Sequence, residues 1–406
     1  MTKLAAYREC LRPRHAKYLL TSNLVGRFPN GMAPLAVALF LRSQGWGFGT
    51  VGTVTALYGL SMAVGGPLLG RGVDRLGQPV VLFVSALVSG VGFVLLVAFG
   101  GGSVFTAAAA VVVAGLFSPP LEPCLRTLWP SVLEDQRAIA AAYALDASLQ
   151  EIVFVTGPLL VVLLGSVADP SVALVVTAVV MVAGTLAYLV PEPVGRWRAE
   201  PRTPDWAGPL RSGRLRRLLT SLAFVGVSLG ALNIATVAYQ EHVDRAGLSG
   251  VLLGTNAAGA LVGGLYYGAR QWRAGPARQL PLLLLGMFLC YLPLVTVPHP
   301  IVVGALVFCA GLFLAPVLTC GFSIIGEVAP PGTATEAFAW MVTAVLTGNA
   351  VGASTAGAAE AHLGIWASFL ALGVAGAAAY TTAALSRRGA RRPSGPKRLS
   401  TETRSP

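Results

Sequence analysis

The sequence has few charged residues: Asp, Glu, Lys and Arg make up 11% of its 406 residues, whereas 55% are hydrophobic. Soluble domains carry about 25% charged residues, so this composition excludes a soluble enzyme, a disordered chain and a secreted disulfide scaffold. The apolar runs are long and continuous rather than alternating over about ten residues, which excludes an outer-membrane barrel. The class of protein that remains is a helical protein that crosses the membrane many times.

Cysteine and histidine are also scarce. The five cysteines include no C-x-x-C pair, and four lie in apolar runs, so we interpret them as small buried hydrophobic residues. The four histidines are scattered in loops and termini, and no G-x-x-x-x-G-K-[ST] motif is present. A membrane enzyme and an ATP-driven pump are therefore disfavoured, and no cofactor or metal is expected.

Twelve segments are long and apolar enough to cross a bilayer, since a spanning helix needs about 20 mostly apolar residues. The predicted spans are 18–41, 49–70, 79–99, 104–128, 139–164, 170–190, 218–240, 249–269, 280–297, 301–326, 335–358 and 364–385. We predict an N-terminal six-helix half over 1–190, a proline- and arginine-rich linker over 191–217, a C-terminal half over 218–385 and a basic tail over 386–406.

The net charge of +12 suggests nucleic-acid binding, but the distribution of the bases argues against it. With the N-terminus in the cytoplasm, 26 of the 29 Lys and Arg fall in cytoplasmic segments and only Arg42 and Arg245 fall outside. This bias predicts a multi-pass protein of the cell membrane with both termini cytoplasmic, whose bases face the anionic inner leaflet. The expected partners are the lipid bilayer, a small-molecule substrate and protons, and a monomer is expected.

The two predicted halves resemble each other. Segment 115–121 (GLFSPPL) in span 4 resembles 311–317 (GLFLAPV) in span 10, at an offset of 196 residues. At an offset of 198, the glycine pair 65–66 in span 2 corresponds to the pair 263–264 in span 8. Parallel six-span repeats are typical of transporters with a binding site between the halves.

Span 2 is followed by the segment GRGVDRLGQ at 70–78. It resembles the loop 2–3 signature of the major facilitator superfamily, G-x-x-x-D-R-x-G-[RK]. The matching residues are Gly70, Asp74, Arg75 and Gly77, and the departure is Gln78. With the twelve spans and the basic linker, the resemblance covers nearly the whole chain and implies an all-α membrane fold of two pseudo-symmetric six-helix halves.

The chemistry of this loop suggests a latch. Asp74 at the membrane edge can accept hydrogen bonds from the N-terminus of span 11, near residues 333–336, and Arg75 can pair with Asp74. Such contacts would hold the halves together on the cytoplasmic side. The alternative is a solvated turn that merely obeys the positive-inside rule.

Span 5 carries Gly157-Pro158, which resembles the centre of the antiporter signature of the same superfamily. The flanking glycines of that signature are valines here, and the arginine typical of span 4 in drug antiporters is replaced by Val111. The alternative for Gly157 and Pro158 is an ordinary proline kink.

Ionisable residues inside spans are costly and therefore candidates for function. Arg27 in span 1 and Glu151 in span 5 lie deepest, with Asp146 about a turn and a half shallower than Glu151. We expect Arg27 and Glu151 to pair, either as a switch that exchanges the partner for a proton or as a permanent ion pair. Glu122 and Arg126 in span 4, at i,i+4 spacing, are interpreted as a structural pair.

The C-terminal half has no acid or base deep in a span, so proton chemistry is predicted in the N-terminal half. Candidates for lining a substrate cavity are Asn30, Asn233, Asn256 and Asn349, which alternatively join helices by hydrogen bonds.

These features predict a secondary transporter that exports a small molecule in exchange for protons. The alternatives are uptake of a sugar or metabolite by proton symport and, from other classes, a membrane enzyme or a sensor without transport.

Overall fold

The computed structural model describes residues 5–201, 205–270, 272–297 and 299–389, and regular structure throughout these ranges is helical. Within these ranges, twelve helical segments are long and apolar enough to cross a membrane, as predicted. These spans 1–12 are Ala16–Ser43, Phe48–Leu76, Gln78–Phe99, Val104–Val132, Gln136–Val167, Pro170–Leu189, Gly213–His242, Leu248–Ala269, Pro276–Thr296, Pro300–Val328, Ala334–Leu363 and Ile365–Leu385.

Most spans extend beyond their predicted ends. Span 7 begins at Gly213, inside the predicted linker, and the helix of span 12 continues to Gly389. The linker contains a short helix, Glu192–Arg196, and a 3-10 helix, Gly208–Arg211. A further short helix, Ala5–Cys10, precedes span 1. The predicted tail lies outside the described residues from position 390 onwards.

The internal repeat appears as equivalent helix contacts in the two halves. A Cβ on Gly65 would lie 2.0 Å from the carbonyl oxygen of Leu116, and a Cβ on Gly263 would lie 2.0 Å from that of Leu312. Spans 2 and 4 and spans 8 and 10 therefore cross at matching glycines, with the offsets of 198 and 196 found in the sequence. Only glycine permits backbones to approach this closely.

Span 4 departs from this symmetry because it is broken. Its first helix, Val104–Leu116, ends before Pro119, and its second, Leu121–Val132, begins after Pro120. Consecutive prolines remove two backbone donors and so interrupt the helix. Span 10 has a single proline at the corresponding place and continues unbroken from Pro300 to Val328. The break sets the direction of the second helix, which carries Glu122 and Arg126.

Contacts between the halves are found at the end of the bundle that carries loops 2–3, 4–5, 8–9 and 10–11, hereafter the loop 2–3 end. There, a Cβ on Gly264 or Gly268 would clash with Ser148 or Ala144 of span 5. Toward the opposite end of span 8, a Cβ on Gly254 would meet no other described atom within 4 Å. The halves are thus closed together at the loop 2–3 end.

Candidate functional site

Four charged side chains form a buried ring inside the N-terminal half. Arg27 pairs with Glu122 (Nη2 to Oε1, 3.4 Å) and hydrogen-bonds Asp146, while Arg126 pairs with Glu122 (3.2 Å) and Asp146 (2.8 Å). The side chains are between 1% and 11% exposed. Each carboxylate bridges both arginines, so the ring is neutral, as buried charges need to be.

The ring touches the C-terminal half through Arg126. Its guanidinium carbon lies 3.8 Å from the ring centroid of Phe322 in span 10, a cation–π contact. Tyr143 donates a hydrogen bond to the Arg126 carbonyl, and its side chain makes aromatic contacts with Phe322 and Phe338. The three aromatic rings therefore cover the charged ring where the halves meet.

The expected pairing of Arg27 with Glu151 is wrong, since Arg27 binds Asp146 and Glu122 instead. The reason is helical geometry. Residues 146 and 151 are five positions apart, which turns their side chains about 140° from each other. Asp146 shares a face with Gly157, which packs on span 1, whereas Glu151 shares a face with Ala144 and Ser148, which pack on span 8.

Glu151 occupies the middle of the 32-residue helix Gln136–Val167 and is half-buried. It forms no side-chain hydrogen bond or ion pair with any residue that the structure describes. The face it shares with Ala144 and Ser148 is the one that contacts the other half. Glu151 is thus a carboxyl group deep in a span, between the halves and without a countercharge in the described chain.

Asp74 makes the two hydrogen bonds expected from the sequence. The backbone amide of Thr335 donates to Oδ1 at 3.1 Å and that of Glu336 donates to Oδ2 at 3.0 Å. These amides belong to the first turn of span 11, which begins at Ala334 and has no partners for them within its own helix. A carboxylate also interacts favourably with the positive end of the helix dipole.

The expected partner of Asp74, Arg75, is exposed and forms no ion pair with it. Arg71, one turn earlier on span 2, instead binds the carboxylate of Glu336 through Nε (3.0 Å) and Nη2 (2.6 Å). Arg75 lies about 100° around the helix from Asp74 and next to the last residue of the helix, whereas Arg71 lies about 60° from Asp74 and one turn before Arg75, where it reaches Glu336. We name Arg71, Asp74, Thr335 and Glu336 the latch.

Glycines allow the close approach at the latch. A Cβ on Gly70 would lie 3.1 Å from the Glu336 Cα, so span 2 rests almost on the span 11 backbone. In the linker, Gly208 has a positive φ of 50°, and a Cβ there would lie 2.8 Å from Glu336 Oε1. Glycine is the residue that tolerates both conditions. The linker therefore covers the latch directly.

The two last positions of the loop signature serve the turn. Gly77 has φ +86° and ends span 2. Gln78, which replaces the usual base, is fully buried, donates to the Cys124 carbonyl at 3.0 Å and accepts from the Tyr188 hydroxyl at 3.2 Å. A charged residue with no partner would be costly at that place.

Gly157 and Pro158 lie where span 5 packs against span 1. A Cβ on Gly157 would lie 2.8 Å from the carbonyl carbon of Gly31, and a Cβ on Gly31 would lie 2.4 Å from the Val153 carbonyl oxygen. The same crossing recurs between spans 7 and 11 at Gly230. Close packing of two helices thus accounts for Gly157.

The four asparagines are not equivalent. Asn256 is buried and donates to the Val307 carbonyl at 3.0 Å, so it joins spans 8 and 10. Asn233 is exposed, and Asn30 and Asn349 are half-buried. Contact of Asn30, Asn233 and Asn349 with substrate stays a prediction, and the hydrogen bond of Asn256 agrees with the alternative role of joining helices.

The sequence analysis did not identify the ion pair of Arg71 with Glu336 in the latch or the aromatic residues Tyr143 and Phe322 that cover the ring. For Glu336 a signal existed, since an acid three residues after Thr333 at a helix start is a typical capping pattern. The aromatic residues carry no such signal, because they are ordinary apolar positions until the fold brings Arg126 to them.

The sequence model of the Major Facilitator Superfamily matches residues 19–353. The chain belongs to this superfamily. It is therefore a membrane transporter rather than an enzyme. No curated protein has a significantly similar sequence.

Solved structures of superfamily transporters share the fold at low sequence identity. The human organic anion transporter MFSD10 (TETRAN) superposes with a TM-score of 0.73 at 15% identity, covering 93% of this chain and 99% of the other. A bacterial homologue of the iron transporter ferroportin in an outward-facing state superposes with a TM-score of 0.72 at 14% identity, covering 91% and 100%. The agreement confirms the fold of two six-helix halves.

Proposed function

We propose that this superfamily member is a proton-coupled secondary transporter that exports a small molecule across the cell membrane by alternating access. The observation that carries the proposal is Glu151, an acid in the middle of span 5 with no countercharge among the described residues, on the face toward the other half. A carboxyl group in such a place binds and releases a proton without breaking an ion pair.

The remaining deep charges support this assignment by contrast. Arg27, Glu122, Arg126 and Asp146 form ion pairs with one another within the ring. Protonation of either carboxylate would leave the two buried arginines with only one negative charge between them. An uncompensated buried charge of this kind costs about 3–5 kcal/mol. We therefore assign proton exchange to Glu151 and the role of a permanent ion-pair network to the ring, which includes Asp146 and Arg27.

Alternating access requires contacts that break at one end of the bundle. The latch joins span 2 to span 11 with two backbone hydrogen bonds and one bidentate ion pair, all at the loop 2–3 end. We propose that it closes the cytoplasmic side while the substrate cavity faces outward. Asn30, Asn233 and Asn349 are proposed to line that cavity.

The cargo is proposed to be a small organic molecule. The two structural neighbours differ in what they carry, an organic anion and iron, so the shared fold accommodates chemically different cargoes. Amide side chains bind uncharged polar groups as donor and acceptor. Export is proposed from the Gly157-Pro158 pattern, with uptake by symport as the second candidate.

The test is transport by purified protein in proteoliposomes across a panel of compounds with an imposed pH gradient. Exchange predicts accumulation on the acidic side of the membrane, whereas symport predicts accumulation on the alkaline side. If the pH gradient changes the accumulation of no transported compound, proton coupling is contradicted.

The orientation is testable by cysteine labelling of intact cells in a background in which the five native cysteines are replaced by alanine. We expect a cysteine at position 245 to react with an impermeant reagent from outside and a cysteine at position 200 to react only after permeabilisation. The reason is the accumulation of Lys and Arg in the segments on the loop 2–3 side. The reverse pattern would overturn the proposed orientation.

Replacing Asp74 by Asn is expected to slow transport about five- to tenfold and to leave substrate affinity nearly unchanged. Each carboxylate oxygen of Asp74 accepts a hydrogen bond from a backbone N–H group. In Asn, the NH2 group would face one of these N–H groups, so one hydrogen bond of the latch is lost, at a cost of about 1–1.4 kcal/mol. Initial rates and equilibrium binding measure the two effects.

Arg75→Gln is the matched control, because Arg75 lies in the same turn but is exposed and does not pair with Asp74. We expect it to stay within about twofold of the unmodified protein, since exposed charges contribute little. A large loss of affinity in Asp74→Asn, or an equal loss of rate in Arg75→Gln, would argue against the latch.

A further inference from the structure

A cavity of about 590 Å3 opens at the loop 2–3 end, next to the latch but outside the bundle interior. Its walls come from three parts of the chain: Arg71 of span 2, the linker with Trp206 and Arg211, and the C-terminal half with Arg216 of span 7 and Trp340 of span 11. Neither the superfamily signature nor the proposed transport cycle accounts for it.

The cavity offers an excess of positive charge. Arg71 is paired with Glu336, and Arg211 is paired with Asp205 at 2.7 Å. Arg216 forms no ion pair with any residue in the described ranges. Three cations against two carboxylates leave one positive charge, so the walls favour an anion.

The free donors match a phosphate group rather than a simple halide. Arg71 uses Nε and Nη2 toward Glu336 and the Trp206 carbonyl, which leaves the hydrogens of Nη1 without a partner in the described chain. Arg216, which also lines the cavity, has a guanidinium group with no ion-pair partner in the described ranges. Two arginines with unused guanidinium donors beside one space suit a multi-oxygen anion.

The cavity also lies next to the N-terminus of a helix and near the membrane surface. Span 7 is 30 residues long and begins at Gly213, between the cavity residues Arg211 and Arg216. The first turn of such a helix carries partial positive charge. The cavity lies at the ends of spans 2, 7 and 11, the depth at which headgroups lie, and basic pockets between helices at this depth bind anionic headgroups.

We propose that this cavity binds a phosphate group of net negative charge, held by Arg216 and Arg211 against Trp206 and Trp340. The ligand is an anionic phospholipid headgroup or a soluble phosphate compound. Because the walls include both halves and the linker, the bound phosphate stabilises the conformation closed at the loop 2–3 end. Binding at this site does not depend on proton coupling or on the identity of the cargo.

The experiment measures thermal unfolding of the full chain in detergent with phosphatidylglycerol, with phosphatidylcholine, or with glycerol 1-phosphate, at constant ionic strength. We expect phosphatidylglycerol to raise the unfolding temperature in a saturable manner, and phosphatidylcholine not to do so. Arg216→Gln should weaken the apparent affinity about tenfold, the effect of losing one charge-assisted hydrogen bond.

Arg217→Gln is the matched control. It removes the same charge from the next position of the same helix, about 100° away, and Arg217 does not line the cavity. It should keep the affinity of the unmodified protein. If Arg216→Gln does not fold, Arg211→Gln replaces it as the test variant, because Arg211 is 76% exposed and its pairing with Asp205 is open to solvent on the arginine side.

The outcomes separate the two sources of phosphate. Stabilisation by phosphatidylglycerol alone, lost in Arg216→Gln, supports a lipid headgroup. Stabilisation by glycerol 1-phosphate that is lost in the same variant supports a soluble ligand of the same chemistry. Equal losses in Arg216→Gln and Arg217→Gln, or no difference between anionic and zwitterionic lipid, would overturn the proposal and indicate a general surface-charge effect.

Discussion

Glu151→Gln is expected to abolish proton-driven accumulation while leaving exchange of substrate across the membrane intact. With one proton per substrate, a gradient of one pH unit supports an accumulation of about tenfold, because one unit is worth about 1.4 kcal/mol. Glutamine keeps the shape of the side chain but cannot gain or lose this proton. The accumulation ratio should therefore fall to about one, which uptake of labelled substrate into proteoliposomes measures.

Counterflow, in which labelled substrate exchanges for unlabelled substrate, separates loss of coupling from loss of function. It requires no net proton movement, so we expect Glu151→Gln to retain it. Glu327→Gln is the matched control, since this acid is exposed near the end of span 10 and undergoes the same change of charge and shape. We expect it to accumulate substrate normally.

Two results would count against Glu151 as the proton carrier. Accumulation at the unmodified level would make Glu151 a structural residue. Loss of counterflow together with the folded protein would indicate that the carboxyl group is needed for packing between spans 5 and 8. In either case the proton site has to be sought elsewhere in the chain, and the ring is the less suitable place because its charges are already paired.

Asp146→Asn is expected to lower the free energy of unfolding by about 3–5 kcal/mol, the cost of breaking a buried pair by removing one partner. Asp146 contacts both Arg27 and Arg126, and its side chain is only 1% exposed. Without it, Glu122 alone faces two buried guanidinium groups. Thermal or denaturant unfolding of the protein in detergent measures the loss.

A charge-compensated double variant tests whether the loss comes from the uncompensated charge. Asp146→Asn combined with Arg27→Gln leaves the neutral pair Glu122–Arg126, so we expect it to recover a large part of the stability. Glu192→Gln is the surface control, since it breaks an Arg–carboxylate pair whose side chains are 79% and 59% exposed. That change should cost less than about 1 kcal/mol. An Asp146→Asn variant as stable as this control would contradict the ring.

The number of spans, the repeat and the contact of Asp74 with the start of span 11 could all be predicted from the sequence. Each of these features depends on local chemistry. About 20 apolar residues cross a bilayer, and glycines recur where helices cross. Asp74 accepts hydrogen bonds from backbone N–H groups that the start of every helix leaves without partners. Even the separation of Asp146 from Glu151 was present in the sequence, because five residues along a helix turn a side chain to a different face.

Which charged side chains pair with each other depends on how the helices pack. Glu122, Asp146 and Glu151 all lie inside spans and were possible partners of Arg27. The break in span 4 places Glu122 and Arg126 beside Arg27 and Asp146, so that these four side chains pair. Arg71 rather than Arg75 reaches span 11, and the cavity beside the latch is lined by residues that are up to 269 positions apart in the sequence. Hydropathy and motifs report single segments, whereas ion pairs between helices depend on the rotation and crossing of each helix, which packing of the whole bundle fixes.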